Sequence, residues 1–120
     1  MKKIDVFVKE CNRWQRYFSL GNWIFEYTND KDESTVCGST DASVRDKHAL
    51  INLNSALGVK FDIRRVKETA FHEVCEVMLV KLRYMAMGQY PANEHTVDEA
   101  CHEIIQRLTN TIYREEEGTE

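Results

Sequence analysis

Hydrophobic residues in the first part of the chain recur every three or four positions, which is the spacing of one face of an α-helix. The pattern runs from about Lys3 to Leu20, and Gly21 and Asn22 then supply a stop signal. The apolar positions of this face are Ile4, Phe7, Val8, Cys11, Trp14, Tyr17 and Phe18. The sequence therefore predicts an N-terminal helix whose aromatic side chains pack into the core.

Three short segments after this helix have the composition of β-strands. Residues 23–28 are aromatic and β-branched, residues 35–44 contain threonine, valine, cysteine and one glycine, and residues 48–54 alternate most regularly. The apolar face of the third segment consists of Ala49, Ile51 and Leu53. Because the connections are short, we expect a mainly antiparallel three-stranded sheet.

Two helices complete the pattern. The longer one is predicted from about Asp62, a residue suited to the N-cap, to Met87, and Gly88 and Pro91 are expected to end it. The last helix is predicted to open at residues 96–99, Thr-Val-Asp-Glu, which have the form of a capping box. The order of helix, three strands, long helix and C-terminal helix predicts an α+β fold with the helices on one side of a small sheet.

Composition restricts the fold to one domain and narrows the range of partners. The chain has 120 residues, of which 42% are hydrophobic, so we expect a single domain over residues 1–120. It carries 20 acidic and 16 basic residues, a net charge of −4, and the basic residues are scattered. This charge pattern argues against a nucleic-acid partner. No apolar run approaches the roughly 18 residues of a membrane span, so no membrane association is expected.

The N-terminal segment and the cysteines point to the cytoplasm. Asp5, Lys9 and Glu10 interrupt any apolar core that a signal peptide would need. Three of the four cysteines fall in helical patterns on or near apolar faces. We therefore expect reduced thiols in a cytoplasmic protein, rather than a disulfide framework. The pattern does not define an oligomeric state.

The candidate chemistry lies on the long helix. His72 and Glu76 are four residues apart and project from one edge of its apolar face. Glu73 lies beside them, further round the helix, and is expected to face solvent. This spacing resembles the HExxH zinc motif with glutamate at the second histidine, an HExxE variant. An ordinary amphipathic helix with a histidine at the boundary of its apolar face has the same pattern, so the pair alone leaves both interpretations open.

A third metal ligand is available on the last helix. His102 lies at the margin of that helix's apolar face, and the short link between the two helices makes them antiparallel neighbours. His72, Glu76 and His102 would together be two histidines and a carboxylate, a common composition for catalytic Zn²⁺ sites. Glu99 is the alternative third ligand, although it also fits the predicted capping box. Asp98, one turn before His102, could accept its other ring N–H.

Several segments together resemble the zincin-type metallopeptidases, and specifically the small metallopeptidases encoded by phages and prophages. They are Leu20-Gly21-Asn22-Trp23, Ala49-Leu50-Ile51-Asn52-Leu53-Asn54, Thr69-Ala70-Phe71-His72-Glu73-Val74-Cys75-Glu76 and Glu99-Ala100-Cys101-His102-Glu103-Ile104-Ile105-Gln106-Arg107-Leu108. Their order and spacing cover most of the chain and are more specific than any one motif. The departure from the family pattern is Glu76 in place of the second histidine, and His102 as a ligand would restore the count of two histidines and one glutamate.

The resemblance implies a zincin-like fold with Zn²⁺ held by the motif helix and by a ligand from the following helix. It also implies Glu73 as general base and the third strand as the sheet edge that receives an extended substrate. The expected function is hydrolysis of peptide bonds in a protein or peptide substrate, in the host cytoplasm if the gene is phage-encoded. The alternative is a zincin-fold module that binds a host or partner protein without turnover.

Overall fold

The computed structural model describes residues 2–89 and 94–118 and has the predicted α+β class. Its elements are α1 (Lys3–Tyr17), β1 (Ile24–Thr28), β2 (Gly38–Ser43), β3 (His48–Leu53), α2 (Ile63–Gln89), α3 (Glu94–Leu108), a π-helical segment (Thr109–Tyr113) and α4 (Arg114–Glu116). The strands form one sheet, and α2 packs against α1, α3 and β2.

The sheet has the order β1-β3-β2 and is mixed, since β1 is parallel to β3 and β2 is antiparallel to it. The prediction of a mainly antiparallel sheet was therefore wrong for one of its two strand pairs. The loop 29–37 explains the difference, because it crosses the end of β3 and lets β2 pair on the far side. Asn52 Oδ1 accepts the Asp30 N–H at 2.7 Å, and Asn54 Nδ2 donates to the Val36 carbonyl oxygen at 2.8 Å.

The core lies between the sheet and the packed pair α1 and α2. Ala49 and Ile51 of β3 are fully buried, and Leu50 between them is exposed, so the predicted alternation of this strand is confirmed. On the helical side, the rings of Trp14 and Phe71 meet edge to face with centroids 4.8 Å apart. This contact joins α1 to the turn of α2 that carries the candidate motif.

The sequence predicted the start of α2 correctly, but not the start of α3. Asp62 caps α2 as expected, since its Oδ1 accepts the Arg65 N–H at 3.1 Å. The predicted capping box at Thr96 was wrong, because α3 begins two residues earlier, at Glu94. Gly88 lies inside α2 instead of ending it, and Pro91 falls outside the described residues. Within residues 2–89 and 94–118, no helix is long and apolar enough to cross a membrane.

Candidate metal centre

Two helices bring three predicted ligand residues together. His72 and Glu76 lie one turn apart on α2, and His102 reaches them from α3. Glu76 Oε2 lies 3.4 Å from His72 Nε2 and 3.1 Å from His102 Nε2. One ligand atom from each residue falls within 4.8 Å of the other two. The imidazole rings are stacked with centroids 5.4 Å apart, so both Nε2 atoms face the same carboxylate oxygen.

Two of the three separations in the cluster are close to those in the ligand shell of a small tetrahedral cation. Zn–N and Zn–O bonds of about 2.0–2.1 Å at tetrahedral angles put neighbouring ligand atoms about 3.3–3.4 Å apart. The two Nε2–Oε2 distances, 3.4 and 3.1 Å, are close to this value. The His₂Glu donor set is also one that zinc prefers. The side chains of His72 and His102 remain 37% and 43% exposed, which leaves one side of the cluster accessible from solvent.

The neighbouring charges and hydrogen bonds act on the protonation of Glu76 and His72. The hydrogen bond with Glu76 is the main cause that raises the pKa of His72. Burial favours protonation of Glu76, but the hydrogen bond from His72 and the charge of Arg83 outweigh it and lower the pKa of this carboxyl. Glu76 is therefore held as a carboxylate, the form that binds a cation.

Glu73 has a different environment from the one that the helical pattern predicted. We expected its side chain to face solvent, but the residue is only 5% exposed. The Thr40 hydroxyl of β2 donates a hydrogen bond of 2.6 Å to Glu73 Oε1. Burial raises the pKa of Glu73, and the Thr40 hydrogen bond offsets part of this effect. The carboxyl is thus more basic than an exposed glutamate, as a proton acceptor near neutral pH requires.

Strand β2 covers Glu73 because Gly38 lets the sheet approach α2 closely. A β-carbon at Gly38 would lie 3.0 Å from the Asn52 carbonyl oxygen and 3.0 Å from Thr69 Cγ2. It would also lie 3.4 Å from Glu73 Cγ. The sequence contained no signal for this contact, because the pairing of β2 with β3 and the packing of β2 on α2 are both long-range.

The cluster opens into a cleft of about 800 Å³ between β2, α2 and α3. Strand β2 is an edge strand of the sheet, and residues 35–42 line one wall of the cleft. Glu73 and the three clustered residues line the same cleft. The expectation that the third strand forms the substrate edge was wrong, since β3 is the central strand and both of its edges are paired. Among the strands of residues 2–89 and 94–118, the one with an unpaired edge beside the cluster is β2.

Asp98 and Arg83 surround the cluster on the side of α3. As expected, Asp98 lies next to the second nitrogen of His102, with Oδ2 at 3.2 Å from Nδ1. Arg83 lies two turns beyond Glu76 on α2, where it forms an ion pair with Glu76 and also contacts Asp98. The sequence offered a clue to Arg83 through its helical spacing, and none to Thr40.

Glu99 and the other candidate ligand residues lie outside the cluster. Glu99, the alternative third ligand, pairs with His95 Nε2 at 2.8 Å and is not part of the cluster. His48 Nε2 lies 2.8 Å from Glu26 on the neighbouring strand. Cys75 and Cys101 are buried free thiols, as expected for residues on the apolar faces of two packed helices.

Comparison with protein families, with curated proteins and with solved structures finds no match for this chain. Any proposal for the chemistry of this site therefore rests on the geometry of its residues.

Proposed function

We propose that this chain is a zinc-dependent metallopeptidase with a zincin-like site, in which His72, Glu76 and His102 hold the metal and Glu73 is the general base. The observation that carries the proposal is the convergence of three ligand atoms within 4.8 Å of one another in a cleft that also contains a buried glutamate. Zinc bound there supplies Lewis acidity, which lowers the pKa of a bound water and polarises the substrate carbonyl.

The protein's own residues supply the proton transfer. Thr40 occupies Oε1 of Glu73, so we assign Oε2 as the atom that accepts a proton from the attacking water. The Thr40 bond also restricts rotation of this carboxylate, which favours a fixed direction of transfer. The protonated Glu73 then returns its proton to the leaving amine. Its low exposure keeps bulk water from competing for that proton.

The sheet edge supports a peptide as substrate. An extended peptide can add to the free edge of β2 through backbone hydrogen bonds, and β2 forms a wall of the cleft that holds the cluster. This arrangement would bring a peptide carbonyl past the metal ligands without any further binding domain. It transfers to β2 the substrate-binding role that the family resemblance suggested for the third strand.

A second function is a zincin-fold module that binds a host or partner protein through the same edge without turnover. The observation that favours it is the enclosure of Glu73, which is 5% exposed and bonded to Thr40. A carboxylate enclosed in this way can be purely structural. The two functions share the metal ligands and the β2 edge, and they differ in whether Glu73 reacts.

The deciding experiment compares zinc-loaded wild type with Glu73→Gln on a diverse peptide library, read by mass spectrometry. The matched control is Glu103→Gln, which removes an exposed carboxylate of α3 that pairs only with Arg107 among the described contacts. A peptidase should lose about 10²- to 10⁴-fold in Glu73→Gln and nothing in the control. A chelator should abolish cleavage by wild type.

Two results would redirect the proposal. Equal cleavage by wild type and Glu73→Gln would remove Glu73 from the chemistry and indicate a contaminating protease. An absence of cleavage by wild type that contains stoichiometric zinc would favour the binding module.

A further inference from the structure

Four side chains around the candidate metal centre form a closed ring of polar contacts. Arg83 Nη2 donates to Glu76 Oε1 at 2.8 Å, and Glu76 Oε2 lies 3.1 Å from His102 Nε2. His102 Nδ1 lies 3.2 Å from Asp98 Oδ2, and Arg83 Nη1 donates to Asp98 Oδ1 at 2.6 Å. The ring crosses from α2 to α3 twice, so it fixes the two helices relative to each other at the site.

The two oxygens of the Glu76 carboxylate have different partners because Arg83 binds only one of them. Its Nη2 occupies Oε1, and Oε2 is the atom that faces both histidines. Its other terminal nitrogen holds Asp98, whose second oxygen contacts the ring of His102. Arg83 and Glu76 have side chains only 25% and 19% exposed, so their contact is shielded from water. A single guanidinium therefore orients the Glu76 carboxylate directly. It also holds the Asp98 side chain, which shares His102 Nδ1 with the backbone carbonyl oxygen of the same residue at 3.0 Å.

We propose that Arg83 is a positioning residue that makes Glu76 a one-oxygen ligand and thereby selects zinc over cations that require more oxygen ligands. The inference rests on the proposed metal centre and adds to it a determinant of metal choice. Zn²⁺ is satisfied by four N and O ligands, whereas Mn²⁺ and Ca²⁺ prefer six or more ligands and often take both oxygens of a carboxylate. With Oε1 bound to Arg83, Glu76 offers only Oε2.

The geometry requires arginine rather than any cation. A guanidinium presents rigid, planar donors that bond two carboxylates in fixed directions, whereas a lysine ammonium is a compact point charge on a flexible chain. Arg83→Lys therefore keeps the charge and much of the length and removes the fixed bridge. Its matched control is Arg107→Lys on α3, where Arg107 pairs with Glu103 on the exposed surface.

The experiment uses metal-free wild type, Arg83→Lys and Arg107→Lys. Their Zn²⁺ and Mn²⁺ affinities are measured by competition with a chromophoric chelator. In separate samples, the visible absorption of bound Co²⁺ reports the coordination number. In Arg83→Lys, zinc affinity should fall about 10- to 100-fold, the usual effect of losing an outer-shell partner, while manganese affinity changes little. The visible Co²⁺ absorption should weaken because Glu76 can then offer a second oxygen and raise the coordination number. Wild type and Arg107→Lys should be indistinguishable.

A second variant keeps the test decisive if Arg83→Lys does not fold. Asp98→Asn removes the charge that holds the Arg83 guanidinium at Asp98 Oδ1, so it should loosen the Arg83–Glu76 contact and lower the zinc-to-manganese affinity ratio in the same direction. Suppose that wild type binds zinc and that a folded variant keeps both the zinc-to-manganese affinity ratio and the Co²⁺ spectrum of wild type. This result would overturn the role of Arg83 and leave the metal centre standing. Failure of wild type to bind Zn²⁺ or Co²⁺ would overturn the metal centre itself, and this inference with it.

Discussion

Replacing Thr40 with valine tests how the Glu73 carboxylate is held. The Thr40–Glu73 distance of 2.6 Å lies in the range of about 2.5–2.7 Å that is typical of a hydroxyl bonded to an ionised oxygen. Valine has nearly the same shape as threonine and cannot donate. A hydrogen bond to a charged group contributes about 1.5–3 kcal/mol, so we expect Thr40→Val to lower the free energy of unfolding by about 2 kcal/mol.

The expected shift in melting temperature follows from the size of the chain. Unfolding entropy is about 2.1 cal/mol/K per residue, or roughly 0.25 kcal/mol/K for this length, so Tm should fall by about 8 °C. In a Glu73→Gln background the same substitution removes a bond between neutral groups, worth about 1 kcal/mol. There Tm should fall by only about 4 °C.

The assay is a double-mutant cycle by urea and thermal denaturation at pH 8, with Thr40→Ser as the control that keeps the hydroxyl. Thr40→Ser should retain most of the stability and the dependence on Glu73. A cost of Thr40→Val that is the same in both backgrounds would show that Thr40 does not stabilise an ionised Glu73. A negligible cost in wild type would refute the hydrogen bond itself.

Three further predictions concern the site and its surroundings. Elemental analysis should find that His102→Ala loses bound zinc and that Glu99→Ala keeps it. Glu99→Ala should lose its surface pair with His95, worth below about 1 kcal/mol. Equal zinc loss in both variants would restore Glu99 as a ligand. Burial raises the pKa of Cys75 to about 12, so its alkylation at pH 8 should be slow in the native protein and fast in denaturant, and rapid native labelling would contradict its burial. Gly38→Val should destabilise the protein by about 1–3 kcal/mol through overpacking against α2, and unchanged denaturation would disprove that close approach.

Local patterns predicted the parts of the fold that depend on neighbouring residues. The alternation of β3 is confirmed by the burial of Ala49 and Ile51, and the start of α2 is confirmed by the hydrogen bond that caps it at Asp62. Each depends on residues within one strand or one helical turn. A periodic pattern or a capping residue specifies such features without reference to the rest of the chain.

The sheet order could not be read from the sequence. It depends on the loop that Asn52 and Asn54 hold across the end of β3, through hydrogen bonds to residues about twenty positions earlier. Neither asparagine has a distinctive sequence context. The family resemblance implied that the third strand is the sheet edge, whereas β3 is the central strand.

The candidate site was predictable where it depends on positions along one helix and unpredictable where it depends on a distant strand. Helical spacing put His72 and Glu76 on one edge, and the neighbouring helix brings His102 to the same point. The predicted solvent exposure of Glu73 was wrong, because helical rotation places a side chain relative to its own helix and not relative to a strand that packs over it. Thr40 lies 33 positions away and carried no signal of this contact.

X-ray absorption at the zinc edge, on protein loaded with one equivalent of Zn²⁺, tests the proposed metal centre most directly. The proposed centre should give a four-coordinate shell of N and O atoms at about 2.0–2.1 Å, with the outer-shell scattering of two imidazoles and no sulfur. The imidazole signal should be halved in His102→Ala. A sulfur shell at about 2.3 Å, or six oxygen ligands without imidazole scattering, would contradict the assignment of His72, Glu76 and His102 as the zinc ligands.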